Sequence, residues 1–570
     1  MLTSDKIIVQ QILDQCQIHG VKHIVISPGS RNAPFSIAFD EHPDFETYIV
    51  HDERSAAFFA LGIADEIQAP VALCCTSGSA AFNYAPAIAE AFYRSVPLIV
   101  ITADRPAAWI NQGDGQTIMQ KNIFGGHVRA SYEFDDQHQT EDDLWKSQRE
   151  IASAFNMGLG KWKGPIHFNV GLNEPLYNVI EKTNSYSRKI TVIPNGISWN
   201  HETIHYIKET LSKQKVMLLC GQLPKNEMLQ QLIVKFANNS NCAVLVENTS
   251  NLQSTEFNPC IDRSLNAINS KEESAFIPDV LITIGGAIVS KRIKNFIRRN
   301  KIKTHWKIGS EFPEMDTYQC LTHHFDVAPL LFFKEIDSYD YQRNQINYAG
   351  KWKKIDIQSK DATALFESKN QKLTDINFFQ SLHENLPEGI VLHMSNSSVV
   401  RYCQLFDPIT GIEYRANRGT SGIDGSSSTA MGSAFISPEK QHLLISGDIS
   451  FLYDSNALWN QNTVSNLKII VVNNGGGGIF RIIDGPSKTK QLNKYFEAEH
   501  QQSVAHLAHG FGWDYEVISE KIDMSDRISK FLLRKEGKSI LEIVTDQEMN
   551  ARDLQHFFDS IKTNITNGIS

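Results

Sequence analysis

The chain has 570 residues, of which 41% are hydrophobic and 21% charged. This composition excludes wholesale disorder, and the length corresponds to three to five domains of roughly 100–200 residues each. The 55 Lys and Arg residues against 64 Asp and Glu residues give a net charge of −9, which argues against nucleic acid or an anionic membrane as the main partner. An anionic substrate would therefore need a local cluster of basic side chains.

The amino-terminal residues predict an amphipathic helix and not a signal peptide. Apolar residues recur at helical spacing from Ile8 to Cys16, after the charged pair Asp5 and Lys6. No run approaches the roughly 18 consecutive apolar residues that a membrane span needs. The eight cysteines are scattered and show no metal-ligand spacing. We therefore expect a reduced, cytoplasmic protein without a membrane span.

The first third of the chain alternates strand and helix patterns. Each short apolar run is followed by a loop of small residues and then by a helical pattern; the runs cover residues 23–27, 47–50, 71–75 and 97–102. This alternation predicts a parallel, doubly wound sheet whose functional loops lie at the carboxyl ends of the strands.

Two breaks in the pattern divide the rest of the chain. Periodicity is lost after about residue 186, and the polar segment 338–354 is typical of a second linker. Buried-strand candidates lie between these breaks (215–221, 243–248, 280–286) and after them (389–394, 442–446, 467–472, 539–544). The sequence thus predicts three α/β domains, at 1–186, 187–345 and 346–570. Segments 23–34 and 52–65 are loosely similar to 389–400 and 422–436, which suggests that the outer domains are two copies of one unit.

The strongest chemical signal is a pair of strand-end motifs in the last domain. Gly447-Asp448 follows one buried strand, and Asn473-Asn474 follows the next, one strand–helix–strand unit further along. Parallel neighbouring strands bring these ends to one edge of the sheet. A carboxylate, an amide and a backbone carbonyl suit a hard cation such as Mg²⁺, and the following glycines allow phosphate to approach the backbone. Turn punctuation is the alternative interpretation of either motif alone.

This pairing resembles the cofactor motif of thiamin-diphosphate enzymes, in which GD and, roughly 25–30 residues later, N hold a divalent cation and the diphosphate. The resemblance implies three domains, named pyrimidine-binding, central and diphosphate-binding. It implies Mg²⁺ (or Mn²⁺) on Asp448, Asn474 and the carbonyl of Gly476. It also implies a glutamate in the partner domain that bonds the aminopyrimidine ring, and Glu53 in HDERSAAFFALG occupies that place.

Further motifs resemble the 2-succinyl-5-enolpyruvyl-6-hydroxy-3-cyclohexene-1-carboxylate synthases of menaquinone biosynthesis. They are SPGSRNAPF, HDERSAAFFALG, TSGSAAFNYAPA, TADRP, GGAIVSKR, SNSSVVR, NRGTSGIDGS and YDSNALW. In this family the residue after Gly-Asp is typically not glycine, as it is in many thiamin enzymes, so Ile449 supports the resemblance. The resemblance implies decarboxylation of 2-oxoglutarate, followed by 1,4-addition of the succinyl carbanion equivalent to isochorismate. It also implies a homodimer or homotetramer with the cofactor between subunits.

The same resemblance assigns roles to residues by motif position. The expected catalytic residues are Glu53, Gln116, Arg401 and Arg418. The expected substrate-binding residues are Ser30, Arg31, Arg105, Gln116, Lys291, Arg292, Asn396, Arg401 and Arg418. The expected cofactor-binding residues are Glu53, Asn396, Ser397, Ile423, Asp448, Ile449, Ser450, Asn474, Gly476, Gly477, Ile479 and Phe480. Asp114-Gly115 before Gln116 departs from the family pattern.

Two other functions remain open at this point. One is a different thiamin-dependent 2-oxo-acid carboligase or decarboxylase, although a monoacid substrate needs fewer cations than this chain offers. The other is a non-catalytic interaction protein that keeps the fold. Intact Glu53, Asp448 and Asn474 argue against the second.

Overall fold

The computed structural model describes residues 2–182, 185–193, 196, 198–368, 370, 372–462, 464–482, 485–534 and 537–568. Three separate parallel sheets, flanked by helices, follow one another along the chain. The prediction of three α/β parallel-sheet domains is confirmed. Within the described residues, no helix is long and apolar enough to cross a membrane.

The first sheet has six strands in the order β3-β2-β4-β5-β7-β6, all parallel. A separate antiparallel pair joins β1 to β8. The strands are β1 (Leu2–Ser4), β2 (His23–Ile26), β3 (Glu46–Ile49), β4 (Val71–Cys75), β5 (Leu98–Asp104), β6 (Ala130–Asp135), β7 (Ile166–Gly171) and β8 (Val179–Glu181). The helices are α1 (Ile7–Ile18), α2 (Ala33–Asp40), α3 (Glu53–Ile67), α4 (Ser79–Asn83), α5 (Ala85–Arg94) and α6 (Glu141–Leu159).

The middle sheet has five parallel strands in the order β10-β9-β11-β12-β13. Its strands are β9 (Val216–Cys220), β10 (Ala243–Val246), β11 (Val280–Ile284), β12 (Thr304–Ile308) and β13 (His323–Phe325). Its helices are α7 (His201–Lys213), α8 (Glu227–Ser240), α9 (Ile261–Ala267), α10 (Lys291–Asn300) and α11 (Pro329–Asp337). The described residues of 186–200 contain no helix or strand, as the loss of periodicity predicted.

The third sheet has the strand order β15-β14-β16-β17-β19-β18. This is the topology of the first sheet, with β14 and β15 in the places of β2 and β3. Its strands are β14 (Val391–Met394), β15 (Glu413–Arg415), β16 (His442–Gly447), β17 (Leu467–Asn473), β18 (Asp514–Ile518) and β19 (Ser539–Val544). Its helices are α12 (Tyr348–Ala364), α13 (Asp375–Asn385), α14 (Ser398–Cys403), α15 (Ser426–Ile436), α16 (Asp448–Tyr453), α17 (Ile479–Ile482), α18 (Val504–Gly510), α19 (Met524–Leu533) and α20 (Gln547–Thr566). The similar segments at 23–34 and 389–400 hold equivalent strands, β2 and β14.

The predicted linker 338–354 is wrong in its second half. Helix α12 begins at Tyr348, and both Tyr348 and Trp352 are buried in the core shared by the middle and third domains. The polar residues between these aromatic side chains hid the helix, because only its narrow apolar stripe contacts the core.

Helices α3 and α15 join the first domain to the third at close range. A Cβ atom on Gly62 of α3 would lie 2.1 Å from the carbonyl oxygen of Thr429. Reciprocally, a Cβ on Gly432 of α15 would lie 2.1 Å from the carbonyl oxygen of Phe59. Only glycine permits this crossing. The two helices share one apolar core with both sheets, so the outer domains are fixed to each other within the chain.

Candidate active site

The carboxyl ends of β16 and β17 form the centre of the site. Gly447 and Val472 pair in register, so Asp448 and Asn474 emerge side by side. Asp448 is 3% exposed, and its Oδ2 accepts the N–H groups of Gly475 and Gly476, both at 2.9 Å. Burial raises the pKa of Asp448. A bound cation would favour its charged form.

The side chain of Asn474 is oriented by one partner and leaves its oxygen free. Its amide bonds Asp375, whereas its Oδ1 is buried and has no hydrogen-bond partner. A buried acceptor without a partner is costly, and an amide oxygen beside a carboxylate suits Mg²⁺. Among the described residues no three His, Cys, Asp or Glu side chains cluster as metal ligands. The oxygen ligands that this site offers are thus a carboxylate and an amide, a mixed set that fits a hard divalent cation.

The loop after β17 folds over Asp448 and carries four further predicted cofactor residues, Gly476, Gly477, Ile479 and Phe480. A Cβ on Gly476 would lie 2.6 Å from the carbonyl oxygen of Glu497, so this position requires glycine. The N–H of Gly477 donates to that same carbonyl, at 2.6 Å. Ile479 is buried, and the ring of Phe480 packs on Phe496 at 5.7 Å. On the β16 side, the N–H of Ile449 donates to Asp448 Oδ1 at 2.7 Å.

A second loop, residues 417–425, is locked beside this centre. The Nδ2 of Asn396 donates to the carbonyl oxygens of Asn417 (2.6 Å) and Gly422 (2.7 Å), and its Oδ1 accepts from Arg418 Nη1 at 2.7 Å. Both the Nδ2 and the Oδ1 of Asn396 thus hold this loop in place. Ser397 follows with a φ of 70° and ends the turn before α14.

Ile423 lies on the exposed side of that loop. Its carbonyl oxygen accepts a 2.6 Å hydrogen bond from Ser450 Oγ, two residues after Asp448. Its side chain is apolar yet 37% exposed. This backbone bond ties Ile423 to the segment that follows Asp448, and Ile423 stays a predicted cofactor contact.

Arg401 and Arg418 form a pair of cations, of which Arg418 is buried and Arg401 is partly buried. Arg401 Nη1 donates to the carbonyl oxygen of Val289 at 3.3 Å, and the Nε atoms of both arginines are buried without a partner. Burial lowers the pKa of each guanidinium, and the two repel each other. Two guanidinium groups with unused donors are suited to a carboxylate ligand.

Lys291 and Arg292 begin helix α10 in the middle domain, and both are exposed. The guanidinium of Arg292 lies 4.2 Å from the centroid of the Phe558 ring, and its Nη1 donates to Asn266 Oδ1 at 3.3 Å. One turn later, Lys294 Nζ donates to the carbonyl oxygen of Ile288 at 2.7 Å. Burial, and then the nearby charges of Arg418 and Arg401, lower the pKa of Lys294, so this lysine belongs to the same basic cluster. Sequence reasoning missed Lys294.

A second basic group lies at the carboxyl ends of β2 and β5. Arg31 is 6% exposed, donates to the carbonyl oxygen of Leu172 at 3.0 Å and pairs with Glu174 at 3.2 Å. Arg105 pairs with Asp114 at 2.9 Å. Burial first, and then Arg105, lower the pKa of Arg31. Ser30 is exposed beside them.

Gln116 projects from the loop that follows β5. It is exposed, has a φ of 53°, and its backbone would lie 3.2 Å from a Cβ placed on Gly78. Buried Gln120 anchors this loop, because its Oε1 accepts from the N–H of Gly78 at 2.7 Å and its Nε2 donates to Asn169. In the described residues of this single chain, no hydrogen bond or ion pair joins Arg31, Arg105 or Gln116 to Arg401 or Arg418.

Glu53 is the first residue of α3, behind the helix cap Asp52, whose Oδ1 accepts from the N–H of Ser55 at 3.2 Å. Asp52 also accepts from Asn456, and Arg54 donates to the carbonyl oxygen of Tyr453 at 2.6 Å. The flanking residues thus dock on the third domain, while the Glu53 carboxyl stays half-buried. Burial raises the pKa of Glu53, which favours a carboxyl able to hold a proton.

Family profiles match all three domains. The N-terminal TPP binding domain of thiamine pyrophosphate enzymes matches residues 8–123, the "Middle domain of thiamine pyrophosphate" matches 189–394, and the C-terminal TPP binding domain matches 398–543. These regions include Glu53, Asp448 and Asn474.

Curated relatives match nearly the whole chain. Proteins named 2-succinyl-5-enolpyruvyl-6-hydroxy-3-cyclohexene-1-carboxylate synthase are similar in Flavobacterium psychrophilum (41% identity; 97% of this chain, 98% of the relative) and Flavobacterium johnsoniae (40%; 97% and 99%). A protein of the same name from Porphyromonas gingivalis is 36% identical over 98% of both chains. The chain belongs to this synthase family. It is a thiamin-diphosphate-dependent enzyme, and the predicted family resemblance is confirmed.

Two further buried carboxylates lie beside the candidate site in this member of the synthase family, and sequence reasoning missed both. Glu90 of α5 is 1% exposed and accepts from the N–H groups of Gly419 (2.8 Å) and Thr420 (2.7 Å). Glu247 is 3% exposed and follows β10 directly. Each had a signal: Glu90 is the single charge in the apolar stretch APAIAEAF, and Glu247 is a strand-end carboxylate like Asp448.

Proposed function

We propose that the protein joins 2-oxoglutarate to isochorismate, giving 2-succinyl-5-enolpyruvyl-6-hydroxy-3-cyclohexene-1-carboxylate and CO₂ in menaquinone biosynthesis. The observation that carries this proposal is the pair Arg401 and Arg418, whose buried Nε atoms have no hydrogen-bond partner, at the loop of Ile423. Both substrates are dicarboxylates, and a monoacid would leave such a pair unneutralised.

Asp448, Asn474 and the Gly476 carbonyl would hold Mg²⁺ or Mn²⁺, with the cofactor's diphosphate on the same cation. When bound, thiamin diphosphate supplies the electron sink for loss of CO₂ from a 2-oxo acid. Ile423 would support the cofactor through apolar contact, since its side chain is exposed next to Ser450. Ile449, Gly477, Ile479 and Phe480 would line the same space.

Glu53 would hold a proton against the aminopyrimidine ring. Burial and the nearby Asp52 raise the pKa of this half-buried carboxyl, and no cationic side chain lowers it, which suits this role. Arg401 and Arg418 would orient one substrate's carboxylates. Ser30, Arg31, Arg105 and Gln116, together with Lys291 and Arg292, would receive the carboxylates and hydroxyl of the second substrate.

A homodimer or homotetramer is part of the proposal. Glu53 and Asp448 belong to different domains, and the exposed residues Trp109 (55%) and Met119 (69%) extend the loop of Gln116 away from this chain's own core. Large apolar side chains in that position are typical of an interface. A partner subunit would thus bring the Arg31 group to the Arg401 group.

The domain limits 1–186, 187–345 and 346–570 are proposed with these roles, since the three sheets end and begin on either side of them. A cytoplasmic location is likewise proposed. It is supported by eight cysteines that form no disulfide, seven of them buried.

The test is a turnover assay of the purified protein with thiamin diphosphate, Mg²⁺, 2-oxoglutarate and isochorismate. We expect loss of isochorismate together with release of CO₂. Turnover of pyruvate in place of 2-oxoglutarate would instead identify another thiamin-dependent carboligase or decarboxylase. An absence of any thermal shift on adding thiamin diphosphate and Mg²⁺ would contradict every catalytic interpretation.

A further inference from the structure

Glu247 holds one turn of the middle domain with both carboxylate oxygens. Its Oε2 accepts from the N–H of Val289 and its Oε1 from the N–H of Ser290, each at 2.7 Å. The side chain is 3% exposed, so water does not compete for these bonds. Charge-assisted hydrogen bonds of this kind fix the backbone they bind.

The carbonyl oxygens of the same turn accept hydrogen bonds from two cationic side chains, Arg401 and Lys294. Arg401 Nη1 donates to the carbonyl oxygen of Val289 at 3.3 Å, and Lys294 Nζ donates to that of Ile288 at 2.7 Å. Ser290 Oγ accepts from the N–H of Ile293 and caps helix α10, whose first turn carries the exposed residues Lys291 and Arg292. The position of residues 288–290 therefore sets the Arg401 guanidinium and the start of α10 together.

We propose that Glu247 is a positioning residue of the substrate site, which holds residues 288–290 so that Arg401 and the start of α10 face a bound dicarboxylate. This inference rests on the proposed function for the identity of the dicarboxylate. It does not require that function for the positioning itself.

The elements packed around Glu247 carry several titratable side chains. Asp262 of α9, Lys294 of α10, Tyr318, Arg401 of α14 and Arg418 all face it. Burial raises the pKa of Glu247 to about 7; Asp262 adds to the rise, while the N–H groups and Arg418 oppose it. The carboxylate accepts both N–H bonds only when it is ionised. Protonation places an O–H against a backbone N–H and releases the turn.

The sign of the pH effect follows from this geometry. As the pH falls through about 7, Glu247 gains a proton, the turn loosens and the site binds its dicarboxylate less well. Charge alone predicts the opposite, because losing a negative charge near Arg401 and Arg418 would strengthen anion binding. The pH profile therefore separates positioning from simple electrostatics.

The decisive experiment compares wild type, Glu247→Gln, Glu247→Asp and the control Glu256→Gln, an exposed glutamate of the same domain. Each holoenzyme, with thiamin diphosphate and Mg²⁺, is assayed between about pH 5.5 and 8.5, and kcat/KM reports the pKa of the free enzyme. Calorimetric titration with succinate measures dicarboxylate binding without turnover. Thermal unfolding checks that each variant is folded.

We expect Glu247→Gln, which mimics the protonated side chain, to raise KM and the succinate Kd about tenfold and to lose the pH step near 7. Glu247→Asp keeps the step with an intermediate KM, and Glu256→Gln matches wild type. Unchanged KM, Kd and pH profile in Glu247→Gln, or tighter binding as the pH falls, would overturn the inference. If wild type binds succinate in this Glu247-dependent way but does not convert the substrate pair, the proposed function alone fails. If it neither turns over nor binds succinate, both fail.

Discussion

The carboxylate of Glu90 accepts both the backbone N–H (2.7 Å) and the hydroxyl (2.9 Å) of Thr420, across the boundary between the first and third domains. Its other oxygen accepts from the N–H of Gly419, at 2.8 Å. The loop that carries Arg418 and Ile423 is therefore held by α5 of the first domain as well as by Asn396 of its own domain. The geometry proposed for substrate binding in the third domain thus depends on a side chain of the first.

Replacing Glu90 with Gln tests this connection. The NH₂ group of the new glutamine would point at one of the N–H groups of the loop, so two hydrogen-bond donors would oppose each other. An unsatisfied buried group of this kind costs about 1–3 kcal/mol. We expect the free energy of unfolding in urea to fall by that amount and KM for the dicarboxylate substrate to rise. The control Glu41→Gln changes an exposed residue of the same domain. A normal KM together with normal stability would contradict the role of this loop contact.

Replacing Glu53 with Gln should reduce kcat by about 100-fold or more, the scale of lost acid–base catalysis, without unfolding the protein. Since burial raises the pKa of Glu53, its stabilising contribution is present at low pH and lost as the pH rises through the folded-state pKa. The cofactor-free variant should therefore be at least as stable as wild type at neutral pH. Steady-state kinetics and thermal unfolding measure the two effects, and near-normal turnover would refute the assignment.

Replacing Arg401 with Ala should weaken substrate binding more than cofactor binding. Losing a charged hydrogen bond costs about 1.5–3 kcal/mol, which corresponds to a roughly 10- to 100-fold rise in KM. The Kd for thiamin diphosphate should change much less, as measured by fluorescence titration. Arg299→Ala, at a surface ion pair on α10, is the matched control. An equal loss of both affinities would place Arg401 at the cofactor instead.

Replacing Asn474 with Ala should remove most of the stabilisation by Mg²⁺. At a ligand concentration of 100 times Kd, binding stabilises the folded state by about 2.7 kcal/mol, which a thermal scan with and without a chelator detects. The variant loses the buried Oδ1 that has no partner within the chain. Asn493→Ala, at an exposed position, should keep the full Mg²⁺ effect. A full Mg²⁺ effect in the Asn474 variant would exclude this oxygen as a ligand.

Mixing two inactive variants tests the proposed assembly. If the cofactor lies between subunits, a chain with Glu53→Gln and a chain with Asp448→Asn together form one intact site per heterodimer. Random pairing then restores about one quarter of wild-type activity. The activity of co-refolded mixtures is compared with each variant refolded alone. No recovery, with heterodimers shown to form, would place the whole site within one chain.

The sequence alone predicted three parallel-sheet domains, the cofactor motif and the family, because these depend on local signals, although strands such as β7 and β12 lie outside the predicted runs. Buried strands such as β16 and β17 are short apolar runs between turn residues, and their parallel pairing brings Asp448 and Asn474 together without further information. From the sequence alone, Gly62 and Gly432 are only small residues within helices. The crossing of α3 and α15 in the structure gives the reason why both positions need glycine.

The tertiary structure alone decided how side chains from distant segments meet. Glu90 contacts Thr420, and Glu247 contacts the turn that supports Arg401, over separations that no local periodicity encodes. It also showed that the whole amide of Asn396 braces a loop, and that Lys294 joins the basic cluster one turn after Lys291 and Arg292. Local sequence fixes where each strand ends. The packing of three domains fixes which charges the loops beyond those ends bring together.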